Sequence, residues 1–436
     1  MLPLFDLTLQ FFGFPIKKAQ ADLQKIKDFS AAEHAVFLEN QKRDIVAFHQ
    51  KNNLFYQNLT SNLKNNLWED LPILTKKDLQ IPLHKRLSND YTLQKVYVNK
   101  TSGSSGEPFF FAKDKFCHAL TWASNQYRFG WFGINFNQDL QARFYGIPLD
   151  FFGYQKERFK DFLSHRYRFP VFDLSDSVLE LFLSKFRQKK FVYINGYTSS
   201  IVLFAKYLQS KNIVLTSVCP TLKLCVVTSE MLFESDKILM QIQFGVPVVN
   251  EYGASELDLI AFENPQNQWQ VNAETIFVEI LDAQNKVLEY GKEGRIVVTS
   301  LFNKAHPFIR YDLGDIGILD PKSSSQKPIL KRLSGRTNDF AVLPSGKKAA
   351  GLAFYYITKA VIEDDGNVKE FVIIQTKIDT FELLYRSEIV LSLLQIQKIK
   401  SAIELYLEPN LNFIFIKKTV LSRSNRGKLK QFSSRL

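Results

Sequence analysis

Apolar residues recur at helical spacing near the start of the chain. Between residues 18 and 65, Leu23, Ile26, Val36 and Phe37 fall close to i, i+3 and i+4 positions. Side chains at that spacing share one face of an α-helix, so the pattern predicts helices here. We expect this segment to be a helical entry to a larger domain.

From residue 96 onward, short apolar runs alternate with longer amphipathic segments. The runs VYVN, FVYIN, KLCVVTS and PVVNEYG have the length and composition of strands. Helical patterns separate them, over about residues 114 to 130, in SSIVLFAKYLQS, and over about 230 to 243. This alternation is typical of α/β proteins, so we predict a layered α/β fold.

The pattern changes after about residue 275. TIFVEILD, RIVVTSL, IGILD and PILKRLSG follow one another as strands and turns, which predicts an antiparallel portion attached to the first domain. Beyond SGRTND, the order strand, helix, strand, strand, long helix, strand is long enough for a small α+β domain. We therefore predict a large domain over residues 1–337 and a small mobile domain over 338–436.

Length and composition agree with a folded chain of more than one domain. The chain has 436 residues, more than one hydrophobic core usually serves, and 45% of them are hydrophobic. The net charge is +12, but basic and acidic residues are interspersed along the chain. We therefore predict no nucleic-acid partner, because the basic total can equally attract anionic nucleotides.

The cysteines and the N-terminal stretch bear on the compartment. Cys117, Cys219 and Cys225 are odd in number and lack CxxC spacing, which favours neither a disulfide framework nor a zinc site. The start MLPLFDLTLQFFGFPIKK has no basic segment ahead of its apolar residues, so it makes a poor signal peptide. No apolar run approaches the ~20 residues of a membrane helix. We expect a cytoplasmic protein without a membrane span.

The stretch TSGSSGEP at 101–108 is rich in glycine and hydroxyl groups. Glycines let the backbone approach a ligand closely, and free N–H and hydroxyl groups suit phosphate oxygens. The same composition also occurs in flexible surface turns. The GxxxxGK[ST] loop is absent because Glu107 follows the second glycine, and no GxGxxG is present, which argues against a kinase-type loop and a dinucleotide cofactor.

Four further stretches are candidates for chemistry. In NEYGASE, Tyr252 and Glu256 follow an apolar strand, where open α/β sheets bind ligands, although a turn with a packed tyrosine has the same pattern. Asp315 in RYDLGD is able to accept ribose hydroxyls, or to belong to an Asp-Gly hairpin. Arg336 in SGRTND and Lys428 in SNRGKLK lie in stretches that also suit a polar linker and a frayed tail.

In this order, TSGSSGEP, NEYGASE, RYDLGD, SGRTND and the terminal RGK resemble the motif series of the adenylate-forming enzymes. LPILTKKDL and TSLFNKAHPFIRYDLGD are similar to the phenylacetate-CoA ligase family. INGYTSSIVLFAKYL and TSGSSGEPF resemble its CapK-like branch of capsular polysaccharide biosynthesis. The resemblance covers roughly residues 72 to 430.

The resemblance implies an enzyme that uses ATP and Mg²⁺ to convert a carboxylic acid into an acyl-adenylate, with release of pyrophosphate. Coenzyme A is the expected acyl acceptor. Transfer to an amine of an amino sugar or amino acid remains an alternative, as does an inactive nucleotide-binding scaffold. The resemblance is also compatible with a homodimer.

The family's site residues transfer to this chain by motif. The catalytic residues would be Lys428 and Glu256, with Glu256 also holding Mg²⁺, and the hinge between the domains would contain Asn338 and Asp339. The nucleotide would contact Thr101, Ser102, Gly103, Ser104, Ser105, Gly106, Glu230, Tyr252, Gly253, Ser255, Asp315 and Arg336.

Two further expectations concern the acid and zinc. Phe116, Trp122 and Tyr197 are candidates for the acyl pocket, although core packing suits each of them too. The segment ELDLIAFENPQNQWQV contains no Cys or His, so we predict no structural zinc. Glu107 stands where many relatives have lysine, so another residue or the cation has to offset the phosphate charge.

Overall fold

The computed structural model describes most of the chain. The described residues are 3–63, 67–101, 109–146, 151–336, 340–350, 354, 358, 368–406, 408–423 and 429–436.

The chain begins with a helical layer, as the sequence predicts. Ser30 starts the longest of these helices: its hydroxyl accepts from the backbone N–H of Glu33, whose carboxylate accepts from the N–H of Ser30 at 2.8 Å. This capping box satisfies two N–H groups that a helix start leaves unpaired. The helices are α1 (Leu4–Phe11), α2 (Ile16–Lys27), α3 (Ala31–Asn52) and α4 (Leu54–Thr60).

The glycine-serine stretch connects two strands, which differs from the expected order of strand, loop and helix. Strand β1 (Tyr97–Lys100) pairs antiparallel with β2 (Phe110–Lys113), and only then does helix α5 (Lys115–Gly130) begin. The run FFFAK forms the second strand because Phe109 and Phe111 are buried, whereas Phe110 between them is exposed.

A seven-stranded sheet forms the centre of the larger part of the molecule. Its strand order is β4-β3-β5-β6-β7-β8-β9, parallel from β4 to β7 and antiparallel for β8 and β9. The strands are β3 (Leu140–Phe144), β4 (Arg166–Phe169), β5 (Phe191–Tyr197), β6 (Leu224–Thr228), β7 (Val248–Ala254), β8 (Asp258–Glu263) and β9 (Trp269–Val271).

Helices cover both faces of this sheet, which confirms the predicted α/β class. One face contributes a core that includes Phe144, Phe169 and Phe204, and the other a core that includes Phe129 and Phe262. The remaining helices of this part are α6 (Phe151–Leu163), α7 (Asp176–Gln188), α8 (Thr198–Ser210), α9 (Leu215–Val218) and α10 (Glu234–Phe244).

The segment after residue 275 forms the expected antiparallel portion. Its four strands pair in chain order, each antiparallel to the next. They are β10 (Ile276–Leu281), β11 (Glu293–Ser300), β12 (Tyr311–Leu319) and β13 (Leu330–Arg336).

The last part of the chain has its own sheet and core. Strand order is β18-β17-β16-β19, and the final strand lies parallel to β16, so the segment after Lys428 is held in the sheet. Phe354, Phe381 and Phe413 belong to the core. The elements are β14 (Phe340–Val342), β15 (Lys348–Ala350), β16 (Val368–Lys377), β17 (Thr380–Ser387), α11 (Leu393–Tyr406), β18 (Asn412–Lys417) and β19 (Phe432–Ser434).

Polar contacts join this last part to the larger one. The Lys206 ammonium donates to the carbonyl of Lys369 at 3.2 Å, and the Lys369 ammonium lies 3.0 Å from the Asp176 carboxylate. Arg386 donates to the carbonyl of Leu174 at 3.3 Å. Helices α7 and α8 thus face the first strand of the last sheet. Across the described ranges, no helix combines the length and apolar character that crossing a membrane requires.

His49 fastens helix α3 to the rest of the larger part. Its Nε2 donates to the carbonyl of Asn303 at 2.9 Å, so Nδ1 is left to accept from the Ser88 hydroxyl at 3.3 Å. Burial lowers the pKa of His49 from its ordinary 6.5 to about 4. The imidazole is therefore neutral in the folded protein at neutral pH.

The folded protein should lose stability as the pH falls from 6.5 towards 4. In that range the unfolded chain binds a proton at His49 and the folded chain does not, which amounts to about 3 kcal/mol over the interval. Urea unfolding between about pH 7 and pH 5 should show a shallower pH dependence for His49→Gln than for the wild type. The exposed His84 provides the control, and a His84→Gln variant with the same change of slope would contradict the assignment.

Arg310 is fully buried and joins three segments. Its Nη1 donates to the carbonyls of Glu69 at 2.8 Å and Leu71 at 3.1 Å, and its Nε lies 3.3 Å from the Glu279 carboxylate. That carboxylate also accepts from the Trp68 indole at 2.9 Å. The guanidinium therefore holds the segment before the predicted phosphate loop against the antiparallel sheet.

Replacing Arg310 with methionine should lower the free energy of unfolding by about 3–5 kcal/mol, because Glu279 is left buried without its partner. Arg187→Met breaks an exposed pair with Glu180 and should cost less than about 1 kcal/mol. Denaturant unfolding of both variants measures the difference. Equal losses in the two variants would contradict the role given to Arg310.

Candidate active site

A cavity of about 390 Å³ opens at the carboxyl ends of the parallel strands β3, β5, β6 and β7. This edge is where open α/β sheets bind ligands, because loops and helix starts leave room there. The residues that line it come from segments far apart in sequence, including Thr101, Thr228, Glu256 and Asp315.

Strand register places polar side chains of neighbouring strands in two rows that line the cavity. Arg143 lies opposite Asn195, Tyr197 opposite Thr228, and Thr228 opposite Glu251. The Thr228 hydroxyl donates to the Glu251 carboxylate at 3.0 Å. Desolvation raises the pKa of Glu251, against the lowering effects of Thr228 and Arg143.

The NEYGASE and RYDLGD segments are linked by two buried hydrogen bonds. The Tyr311 hydroxyl donates to the Glu256 carboxylate at 3.0 Å, and the Tyr252 hydroxyl donates to the Asp315 carboxylate at 2.7 Å. Each segment thus supplies a tyrosine that orients the other segment's carboxylate. Asp315 also lies directly opposite Arg336 in the β12–β13 pair.

The end of β7 depends on a close backbone approach to the start of β8. A Cβ at Gly253 would lie 2.5 Å from the carbonyl oxygen of Asp258, so a side chain does not fit. The Asp258 carboxylate accepts from the Thr121 hydroxyl at 2.6 Å and pairs with the Lys113 ammonium. Burial lowers the pKa of Lys113 to about 8.

Thr101 closes the base of the loop between β1 and β2. Its N–H donates to the carbonyl of Phe109 at 3.0 Å, and its hydroxyl accepts from the N–H of Phe109 at 3.1 Å. Thr101 itself lines the cavity. The first residue of the TSGSSGEP stretch therefore lines the same cavity as Glu256 and Asp315.

Glu230 lies where the two parts of the molecule meet. Its carboxylate accepts from the N–H of Ser199 and from the N–H of Leu429, each at 2.7 Å. Desolvation raises the pKa of Glu230, and the Ser199 N–H and the Arg423 charge oppose that rise. The residue after Lys428 is thus hydrogen-bonded next to Thr228 and Ser229, which line the cavity.

Comparison with known proteins reveals distant relatives and close structural neighbours. The protein CapK from Staphylococcus aureus is 24% identical over 345 residues, which are 73% of this chain and 71% of CapK. Phenylacetate-coenzyme A ligase from Aromatoleum evansii is 26% identical over 131 residues, 28% of this chain and 29% of that enzyme. No protein-family model matches the chain.

Among solved structures, 2-hydroxyisobutyryl-CoA ligase in its postadenylation state, in complex with R3-HIB-AMP, superposes with a TM-score of 0.72 at 17% identity. The match covers 94% of this chain and 91% of that one. The same ligase in its thioesterification state, with 2-HIB-AMP and CoA, gives a TM-score of 0.59.

The chain has the fold of the adenylate-forming ligases. It is homologous to CapK and to phenylacetate-CoA ligase, which confirms the resemblance found in its motifs.

In this adenylate-forming fold, most of the described residues predicted for the site line one cavity. The predicted residues that line the cavity are Thr101, Trp122, Tyr197, Gly253, Ser255, Glu256 and Asp315. The predictions for Ser102, Gly103, Ser104, Ser105, Gly106, Asn338, Asp339 and Lys428 concern positions outside the described residues, and Glu107 also lies outside them.

Three described residues predicted for the site do not line this cavity: Phe116, Glu230 and Tyr252. For Arg336 the structure gives the backbone position opposite Asp315. Tyr252 is buried in the core with Phe109 and Phe111, and its hydroxyl donates to Asp315 of the cavity, so contact with adenine stays a prediction. Phe116 lines a different cavity, with Phe302. It lies about 1.7 helical turns before Trp122 on α5, so the two side chains leave different faces of the helix.

The cavity is also lined by residues that were not predicted for the site. Arg143, Arg166, Asn195 and Glu251 line the cavity, but LQARF and RYRF have the composition of ordinary strands. The available signal was the alternation in β3, where polar Gln141 and Arg143 share one face. Identifying their surroundings required the register between neighbouring strands.

A magnesium ion fits the carboxylates of this cavity. Glu256 is buried at its edge, and Mg²⁺ in nucleotide sites needs only one or two protein carboxylates together with substrate phosphates. Within the described part of the chain, no group of three or more His, Cys, Asp or Glu side chains is arranged to hold a metal by itself.

Proposed function

We propose that this chain is an AMP-forming ligase that activates a carboxylic acid as its adenylate and transfers the acyl group to coenzyme A. One observation carries the proposal: the base of the TSGSSGEP loop, Glu256 of NEYGASE and Asp315 of RYDLGD line a single cavity. These positions are more than 200 residues apart at their extremes. Their convergence is what nucleotide binding by three motifs requires.

The nucleotide would lie with its phosphates towards Thr101 and its ribose towards Asp315. A carboxylate has lone pairs to accept both ribose hydroxyls, and Tyr252 fixes its orientation. Glu256, oriented by Tyr311, would hold Mg²⁺, which supplies positive charge to the phosphates. Lys76 also lines the cavity, and we expect it to provide part of the charge that Glu107 does not.

In the first half-reaction, a carboxylate oxygen of the acid attacks the α-phosphorus of ATP. The new O–P bond forms as the bond to pyrophosphate breaks. Lys428 is the proposed group that meets the developing negative charge. The hydrogen bond from the Leu429 N–H to Glu230 supports this role, because it anchors the residue that follows Lys428 in sequence next to the cavity-lining residues Thr228 and Ser229.

In the second half-reaction, the sulfur of coenzyme A attacks the acyl carbon and AMP leaves. We propose that residues 338–436 rotate about Asn338 and Asp339 between the two steps. The better superposition on the postadenylation state of 2-hydroxyisobutyryl-CoA ligase supports an arrangement here that corresponds to that state. A cytoplasmic location and a homodimer stay predictions from the sequence.

A second candidate differs only in the acceptor. Similarity to CapK spans 73% of this chain, against 28% for phenylacetate-CoA ligase, and this favours keeping an amine acceptor in surface-polysaccharide assembly as an alternative. AMP release measured after addition of coenzyme A or of amino sugars and amino acids separates the two.

ATP–pyrophosphate exchange with a panel of carboxylic acids tests the proposed function. We expect exchange that depends on the acid, and a loss of about 100- to 1000-fold in Lys428→Ala, because a charge that stabilises the transition state is removed. Lys418→Ala, an exposed lysine of the same part, should retain the rate. ATP binding without exchange for any acid would favour a nucleotide-binding scaffold instead.

The hydrogen bond from Tyr252 to Asp315 leads to a separate prediction about ATP binding. Asp315→Asn should raise the KM for ATP by about 10- to 100-fold, and Tyr252→Phe by a smaller factor, because the carboxylate loses its orienting donor. Tyr56→Phe is the matched control, since its buried hydroxyl has no hydrogen-bond partner among the described residues. A KM for ATP that is unchanged in Tyr252→Phe would rule out the positioning role.

A further inference from the structure

The cavity has opposite charges at its two ends. Glu251, Glu256 and Asp315 come from β7 and the segments beside it, whereas Arg143 and Arg166 come from β3 and β4 at the other edge of the parallel sheet. Strands β5 and β6 separate β3 from β7. Three strand spacings of about 4.8 Å therefore separate the backbones of β3 and β7 by about 14 Å.

Arg143 has no hydrogen bond or ion pair with any described residue. Its Nε is buried without a partner, and its guanidinium lies 4.0 Å from the centre of the Tyr145 ring. Glu251 is influenced by the charge of Arg143, but its carboxylate accepts from Thr228 and forms no ion pair within the described ranges. The Arg143 side chain is half-buried, and leaving its buried Nε–H without an acceptor is costly unless a ligand supplies one.

The neighbouring charges leave the same end of the cavity positive. Arg166 donates from Nε to Asp161 at 2.6 Å, but Asp161 also accepts from Arg168 at 2.9 Å. Arg168 pairs in addition with Glu157. These three arginines and two carboxylates therefore carry a net charge of +1, with Arg143 and Arg166 on the cavity.

The space between the two ends suits the body of an organic acid. Trp122, Phe129 and Phe136 supply aromatic surface, and Gln141 and Asn195 supply amide groups on the side nearer the arginines. Aromatic walls alone accept many acyl groups. Arg143 and Arg166 add positive charge at one end of the cavity. A simple aryl or alkyl acid has no second anionic group to pair with that charge.

We propose that the acid activated by this enzyme carries a second anionic group, a carboxylate or a phosphate-type group, which Arg143 and Arg166 bind. The proposal rests on the proposed function, because the first carboxylate has to reach the α-phosphate of ATP. Arginine suits this task because its planar donors pair with two oxygens of a carboxylate or phosphate at once. The same residues would then exclude acids whose distal end is apolar.

Matched pairs of acids test the proposal. Each pair consists of a monocarboxylic acid and the acid of equal chain length that ends in a second carboxylate, with a third member that ends in a phosphonate. We expect ATP–pyrophosphate exchange by the wild type to favour the dianionic members by at least about tenfold in kcat/KM. The carboxylate and phosphonate members show which anionic group the arginines prefer.

Arg143→Gln should lower kcat/KM for the preferred dianionic acid by about 10- to 100-fold and leave the monocarboxylic acid within about twofold. Arg143→Lys should restore part of the preference because it keeps the charge. Arg187→Gln removes an equal charge outside the cavity and should behave as the wild type. A specificity change of this kind does not result from misfolding, which lowers the rate with both acids.

Different outcomes overturn the two proposals. Exchange that prefers apolar monocarboxylic acids, or an equal loss for both acids in Arg143→Gln, overturns the second anionic group and leaves the ligase function standing. Absence of exchange with every acid counts against the ligase function. In that case, thermal unfolding in the presence of dicarboxylic acids still tests the anion site. A rise in melting temperature in the wild type but not in Arg143→Gln supports the site, and no rise in either protein overturns it.

Discussion

The buried pairing of Arg310 with Glu279 is the interaction on which the candidate site depends. Arg310 lies immediately before Tyr311, and its backbone adopts the left-handed region, with φ of 46°. Three carbonyl acceptors between Trp68 and Leu71 fix the guanidinium from one side, and Glu279 fixes it from the other. The direction in which β12 starts is set by these bonds.

The start of β12 in turn determines where two carboxylates point. Tyr311 reaches Glu256 from the first residue of the strand, and Asp315 receives the Tyr252 hydroxyl four residues later. Because the two hydrogen bonds run in opposite directions between the segments, a shift of one segment would disturb both carboxylates. The fully buried Arg310 charge therefore controls the geometry of groups that line the cavity.

The sequence was sufficient for the order of elements and for the motifs, because both are local properties. Alternation of apolar runs predicted the α/β part, and the strands after residue 275 lie where their composition indicated. Local patterns did not reveal that FFFAK forms a second strand, since its aromatic residues gain from burial against distant partners such as Tyr252. Nor did they reveal Arg143 as a cavity residue, because its surroundings follow from strand register.

The close backbone approach at Gly253, near the end of β7, has a consequence for how this chain can diverge. The local shape is imposed by backbone atoms 2.5 Å from any added Cβ, so side-chain replacement there has almost no freedom. Strands β3 and β4, in contrast, present long side chains into open space at the far edge of the sheet. Under the proposed function, acceptance of new acids can therefore change at that edge by single substitutions, while a side chain at Gly253 has no room on the opposite half of the cavity.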